Sequence, residues 1–431
     1  MKPRDILEID YFILLPVIAL VSIGIAFIYS SGVSSDNDQY LKQIAWASTG
    51  LAVALVLAMV NYRRLYNFSP YIYLLVLLPL VYTLVFGRVF RGMRWLKVGI
   101  IGIQVSEFAK IATIIFLARY LADTRKNASS FARFLVSCLI VFIPMGIVLI
   151  QPDLGTSLVF IPILLAMTFI AGLSTRYVIF LISCILLTSL LTVLPLWQTY
   201  ILRRTLPVLG LLTNPRLIII VVLALSLIMG IALFGLKKYR KRYFFWIIYA
   251  FAIIVLSLGA SYGARKVLRN YQIMRLIVFL DPNVDPRGAG WNIIQSITAI
   301  GAGGFAGKGF LQGTQGQYRF LPEQSTDFIF SIFSEEAGFI GGIVVFVLFL
   351  TICLRLLRII RTASDPFAAY ICAGLVGMYS FHFMINVGMT MGIMPITGIP
   401  LVFMSYGGSS MISSMIGIGV ALSIHVRRYV H

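Results

Sequence analysis

Apolar runs of about 17 to 25 residues recur along the whole chain, and each is long enough to cross the hydrocarbon of a bilayer as a helix. About twelve can be read, at roughly 10–30, 43–60, 70–87, 104–121, 131–150, 156–172, 177–195, 216–235, 243–262, 328–353, 366–388 and 399–424. In lipid every backbone N–H and C=O must be bonded within the protein, which leaves such runs the α-helix. Hydrophobic residues are 60% of the 431 and charged residues 12%, about half the soluble-domain norm. A soluble fold of this size could not bury so much apolar surface, and disorder has the opposite signature. The expectation is an all-α integral membrane protein, one domain over 1–431, built as a polytopic bundle of about twelve transmembrane helices.

The first run follows Lys2 and Arg4, is full length, and has no small-residue cleavage pattern after it, so it reads as an uncleaved span. Cys138, Cys184, Cys353 and Cys372 all fall inside apolar runs, where neither a disulfide nor a metal spacing is expected. No repeat of 20–50 residues is evident.

Lys+Arg number 35 against Asp+Glu 15, a net charge of +20. With the N-terminus in the cytoplasm, alternation puts the dense basic turn 236–242 (LKKYRKR) inside and the acidic loop 31–42 outside. That obeys the positive-inside rule and predicts two cytoplasmic termini. The exceptions are Arg88, Arg91, Arg94 and Lys97 in one short outer loop, and a second group that includes Arg265, Arg269, Lys308 and Arg319 in the long outer segment 263–327. Headgroup anchoring explains them on one reading, attraction of an anionic substrate on the other.

The long outer segment has three parts. Residues 264–280 read as a helix lying in the membrane interface, with Arg265, Arg269 and Gln272 on its polar face. Residues 281–291 are rich in turn formers. In 301–317, GAGGFAGKGFLQGTQGQ, the phosphate-loop pattern fails at Ala302 and Gly309, and the dinucleotide pattern fails at Ala306. No nucleotide cofactor and no nucleic-acid partner are expected. The glycines serve close backbone packing, or else bring N–H groups and Lys308 to a pyrophosphate.

Five acids fall at membrane depth: Glu107, Asp153, Asp327, Glu335 and Glu336. A carboxylate at mid-bilayer costs roughly 2.5–3.5 kcal/mol even on the milder scales, so each needs a partner or a wet cavity. Glu107 and Lys110 can pair at i, i+3. Asp153 sits where Pro152 and Gly155 break a helix. Asp327 is expected to open a helix capped by Thr326 or Ser325, with Ser331, Ser334 and Glu335 continuing a polar stripe. His382, Asn386 and Thr390 form a second stripe, in which the histidine reads first as a packed, hydrogen-bonded residue. No metal-ligand spacing stands out, although carboxylates with a pyrophosphate would suit Mg²⁺ or Mn²⁺.

GMRWLKVG (92–99), SEFAK (106–110), QPDLGTSLV (151–159), GKGFLQGTQ (307–315), LPEQSTDFIFSIFSEEAGFIGG (321–342) and NVGMTMGIMPITGIPLVFMSYGGSS (386–410) together resemble the SEDS family of shape, elongation, division and sporulation proteins. They occur in family order over most of the chain, and GKGFLQGTQ looks like the elongation branch. The resemblance implies a peptidoglycan glycosyltransferase that polymerises lipid II, an undecaprenyl-pyrophosphate-linked disaccharide-pentapeptide, at the outer face of the bacterial cytoplasmic membrane. It also implies a class B penicillin-binding protein as transpeptidase partner, with other elongation-complex proteins. Asp327 matches the family's essential acid and is the candidate general base. Asp153, Glu107, Lys110 and the Arg94–Trp95 pair match further functional positions, and Ser405 is a further candidate substrate-binding residue. Lys308 and Arg319 are candidate pyrophosphate-binding cations, and Asp153 is the candidate ligand of a divalent ion.

Val105 and Val402 depart mildly from the family pattern. The family usually has ten spans, so twelve implies an extra pair within 197–262, with the long loop between spans 9 and 10. A flippase or transporter of the lipid-linked precursor, and a non-catalytic scaffold for a transpeptidase, are the competing readings.

Overall fold

A computed structural model describes residues 9–33, 38–86, 94–98, 101–126, 128–202, 209–210, 212, 214–268, 270–318 and 320–428. Its long helices are α1 (Tyr11–Gly32), α2 (Gln39–Met59), α3 (Arg63–Phe86), α4 (Val105–Asp123), α5 (Ser130–Ile150), α8 (Thr175–Trp197), α9 (Pro215–Tyr239), α10 (Arg242–Val267), α14 (Ile329–Thr362), α15 (Pro366–Thr390) and α16 (Gly408–Val426). Between them lie the hairpin β1 (Trp95–Val98) and β2 (Ile101–Gln104), and the shorter helices α6 (Leu154–Leu158), α7 (Phe160–Ile170), α11 (Asn270–Leu280), α12 (Ala289–Gly303) and α13 (Thr314–Gln317). The protein is an all-α, multi-pass membrane protein.

Each of the apolar runs corresponds to a helix or, at 156–172, to the broken pair α6–α7. Among the described residues ten helices are long and apolar enough to span. The other two runs fall short for physical reasons. Helix α4 carries Glu107, Lys110, Arg119 and Asp123, and α6–α7 is short.

Two boundaries differ from expectation. Residues 391–407 are irregular and α16 begins only at Gly408. Pro395 and Pro400 lack the amide a helix needs, and Gly392 and Gly398 take positive φ. The expected interfacial helix over 264–280 is two helices, because Leu268 is extended between α10 and α11. Arg265 therefore ends one helix and Gln272 is buried on the next, while Arg269 lies outside the described residues. No glycine or proline marks that break.

The chain divides into two compact units, 1–173 with 291–431, and 174–290. In the first, α16 is central: 83% of its apolar window is buried. It packs against α2 and α4, while α15 packs against α4, α7 and α14. Small residues permit this closeness: a Cβ on Gly419 would lie 2.7 Å from the Ala54 carbonyl of α2. Side-chain caps set the helix starts, with Asp10, Ser129 and Asp365 accepting from the first-turn amides of α1, α5 and α15. In the second unit α10 packs against α8 and α9, and α11 against α8. Only 11% of the α9 window is buried, which leaves most of that helix to lipid. The expected extra pair, 197–262, lies inside this unit.

Candidate active site

At one end of the first unit, the starts of α2, α4, α14 and α16 meet the ends of α5 and α15. Three polar clusters form there.

The first is buried. Lys110 Nζ donates to both oxygens of Glu107 at 2.9 Å, and the two side chains are 1% and 3% exposed. Ser413 donates to Glu107 Oε2 at 3.4 Å. The third neighbour of Lys110 is His382 Nε2, at 3.0 Å. An ammonium only donates, so Nε2 accepts, and Nδ1–H donates to the Pro400 carbonyl at 3.2 Å. The histidine is thereby fixed as a neutral tautomer that links the ion pair to the irregular 391–407 segment. Glu107 also lies in the first turn of α4, where the helix dipole favours a negative charge.

The second cluster surrounds Asp153, which caps α6 by accepting from Thr156 N at 3.3 Å. Its other oxygen accepts from Gln104 Nε2 at 3.0 Å. Arg94 donates through Nε to the Gln151 carbonyl at 3.2 Å and through Nη2 to the Pro152 carbonyl. The hairpin is thus pinned to the QPDLG turn, and Gln151 is tied in turn to Leu80 and Thr83 of α3. Gly155 sits against the Thr397 carbonyl, where a Cβ would come within 2.5 Å.

The third cluster holds Asp327. The helix does not open at this residue: α14 begins at Ile329, and Phe328 is its cap without a side-chain hydrogen bond. Thr326 and Ser325 are not caps: the Thr326 hydroxyl donates to the Glu323 carbonyl, and Ser325 is engaged elsewhere. Its hydroxyl donates to Gln39 Oε1 at 2.8 Å, and its carbonyl accepts from Tyr406 N at 2.8 Å. The Asp327 carbonyl accepts from Asn386 Nδ2 at 2.9 Å. Ser405, a candidate substrate-binding residue, is buried, and its hydroxyl accepts from Leu401 N at 2.8 Å, closing the turn that it belongs to.

The glycine loop around Lys308 forms a separate assembly on α14. Gly338, at φ +64°, interrupts the helix. The carbonyls of Gly304 and Phe305 accept from Phe339 N and Ile340 N at 3.0 and 3.2 Å, and the amides of Lys308 and Gly309 reach Glu335 O and Glu336 O, both at 3.0 Å. Backbones this close exclude side chains: a Cβ on Gly307 would fall 2.1 Å from the Glu336 carbonyl. The free amides of the loop go to carboxylates of the same protein. Thr314 N and Gln315 N reach Glu335 at 2.9 and 3.1 Å, and Leu311 N reaches Glu336 at 2.9 Å. Lys308 Nζ pairs with Glu335 Oε1 at 2.7 Å, and Ser30 donates to Glu336 at 2.5 Å. The glycines therefore serve close packing, and the cradle holds an internal anion. The polar stripe divides accordingly, since Ser331 is paired with Ser296 at 2.6 Å.

Arg319, the other candidate cation, lies outside the described residues, as do Arg88 and Arg91. Gln39, Gln43 and Gln104 are engaged here and were not among the expected residues. Gln43 donates to Ser405 O at 3.0 Å and accepts from Gly407 N at 3.2 Å. Glutamines at the ends of apolar runs were the available signal.

The described residues do not by themselves make a protein-held divalent site. Both Asp153 oxygens accept from protein donors, and no three of His, Cys, Asp and Glu gather at one point among the described residues.

A family model described as Cell cycle protein, covering FtsW, RodA and SpoVE, matches residues 7–215 and 197–430. The chain is 46% identical over 433 residues to the peptidoglycan glycosyltransferase RodA of Treponema pallidum, covering 99% of this chain and 100% of the relative. It is 30% identical over 430 residues to the peptidoglycan glycosyltransferase MrdB of Escherichia coli K12, covering 98% and 95%. Among solved structures, a chain from a peptidoglycan synthase complex described as coordinating polymerization and crosslinking shares the fold. Its TM-score is 0.68 at 24% identity, with 98% of this chain and 99% of that chain covered.

Proposed function

The chain belongs to the FtsW, RodA and SpoVE family of cell-cycle proteins, and from that membership we infer that it is a peptidoglycan glycosyltransferase of cell elongation. The finer reading is that it polymerises lipid II at the outer face of the cytoplasmic membrane, with Asp327 as general base.

One observation supports the choice of base. Of the five membrane-depth acids, Glu107, Asp153, Glu335 and Glu336 are buried, between 0% and 7% exposed. Asp327 alone of the five is half-buried. A carboxylate open to the site can take a proton from an acceptor sugar hydroxyl as that oxygen attacks the anomeric carbon of the donor. The new glycosidic C–O bond forms as the bond to the lipid pyrophosphate breaks, and the pyrophosphate leaves with the electron pair. It needs positive charge nearby rather than a proton. Arg94, Arg319 and Lys308, the last shared with Glu335 and partly exposed, are the candidates. Lys110, fully buried and paired with Glu107, supports the site from beneath. A divalent cation, where one takes part, arrives with the substrate pyrophosphate.

The partner is a transpeptidase of the class B penicillin-binding type, working with other elongation-complex proteins, as the crosslinking function of the similar complex suggests. The densely basic turn 236–242 supports the reading in which both termini are cytoplasmic. Purified protein given lipid II tests the activity: glycan chains form with the parent and not with Asp327→Ala or Asp327→Asn. Lipid scrambling without polymerisation would favour the transporter reading.

A further inference from the structure

Asn386 is completely buried on α15, and its side-chain Nδ2 donates to two backbone carbonyls, Asp327 O at 2.9 Å and Ile399 O at 2.8 Å. We propose that Asn386 is a positioning residue for the reaction, holding Asp327 in register with the 396–405 segment through this bridge. The proposal rests on the reading of Asp327 as the base.

Carbonyl oxygens only accept, so two of them at hydrogen-bond distance fix which end of the amide is nitrogen. Both hydrogens of the NH₂ group are then used. The two carbonyls belong to irregular segments, the turn before α14 and the run before α16, and a buried carbonyl outside a helix or sheet must find a donor elsewhere. One side chain serves both, so neither segment shifts without losing a bond to the same residue.

The bridge has a second rung. His382, one helical turn earlier on α15, donates from Nδ1 to Pro400 O, the residue after Ile399. His382 is in turn held by Lys110. The segment facing Asp327 is thus fastened to α15 at two successive residues, and through α15 to the buried ion pair of α4. This gives the Glu107–Lys110 pair a route to the site that needs no substrate contact.

The amide also carries a cost that packing alone would avoid. Asn386 Oδ1 is buried and has no hydrogen-bond donor among the described residues. An apolar side chain such as leucine has the same branching and no polar atom to leave unsatisfied, so a residue that merely filled this space would not be an asparagine. What asparagine supplies and leucine does not is the pair of donors.

Asn386→Leu keeps the branching of the side chain, with added bulk, and removes the polar group. Asn386→Asp keeps the shape and removes the donors. Both are compared with the parent and with Asp327→Ala in the purified lipid II polymerisation assay, with thermal unfolding measured alongside. The proposal expects kcat to fall about 10- to 100-fold in both variants, as for a base displaced by an ångström or less. KM stays within about threefold of the parent, and Asn386→Leu remains folded, with an unfolding midpoint lowered by no more than two carbonyls left without a donor would cost.

Parental kcat in either folded variant overturns the proposal. So does a loss of folding in both, or a fall in kcat matched by earlier unfolding and a raised KM, since each marks a packing role. If Asp327→Ala polymerises normally, it is the reading of the base that has failed. If that variant is inactive while the Asn386 variants keep parental kcat, only the positioning role has failed.

Discussion

The Lys110 ammonium lies 2.9 Å from the Glu107 carboxylate, three residues back on the same helix and almost wholly out of water. The pair is self-neutralising within α4, which lets a helix with two charges in its first turns sit inside the bundle. Removing one partner strands the other charge in a low-dielectric interior. Lys110→Met is expected to lower stability by about 3–5 kcal/mol, read as a lower unfolding midpoint in detergent. Glu107→Gln combined with Lys110→Met should recover at least half of that loss. Additive losses in the double variant would mean that the two groups do not act as a pair.

The clamp on α14 makes a contrasting prediction for two nearby glycines. Gly338 is at φ +64°, and a Cβ there would fall 2.2 Å from the Gly307 amide nitrogen. With ψ at −164° this backbone conformation is essentially reserved for glycine and costs a side chain roughly 1–3 kcal/mol, and the clash adds to it. Gly338→Ala should therefore yield little folded protein. Gly342, four residues on, has nothing within 4 Å of a built Cβ, so Gly342→Ala should leave stability unchanged or raise it by about 0.5–1 kcal/mol. Folded yield and unfolding midpoint measured together check both halves.

Lys308 and Glu335 are expected to matter for loop order. Glu335 accepts from Lys308, from the Thr314 amide and hydroxyl, and from the Gln315 amide. Glu335→Gln removes the charge from all of these bonds, each worth roughly 1.5–3 kcal/mol with a charged partner, whereas Lys308→Met removes only one partner. Limited proteolysis between residues 304 and 318 should be fastest in Glu335→Gln, intermediate in Lys308→Met and slowest in the parent. Equal rates would show that the carboxylate does not hold the loop.

Asp153 gives the metal prediction. With its oxygens accepting from Thr156 and Gln104, it is poorly placed to bind a cation alone. Calorimetric titration of Mg²⁺ or Mn²⁺ into the substrate-free protein should show no stoichiometric site, and any loss of polymerisation in EDTA should depend on lipid II. A site in the protein alone that disappears in Asp153→Asn would contradict this.

Much of the molecule was legible in the sequence, because lipid leaves so few options. The apolar runs located the helices, since a backbone in hydrocarbon has to bond to itself. The i, i+3 spacing of Glu107 and Lys110 was enough to predict their pairing, and the motif order carried the family. Boundaries read less well. Pro395 and Pro400 delay α16 to Gly408 despite an apolar run that starts earlier, and the break at Leu268 has no local marker. The pairings of Lys308 with Glu335 and of Ser405 with Leu401 N were hidden because those partners are supplied by the fold. In the same way, Asn386 looked like one member of a polar stripe until its two carbonyl partners were visible.

The most direct test of the central claim is polymerisation of lipid II by purified Asp327→Ala, with unfolding midpoint measured on the same sample. A folded variant that makes no glycan chains is the result expected of a general base at this position. A folded variant that polymerises at the parental rate would contradict it.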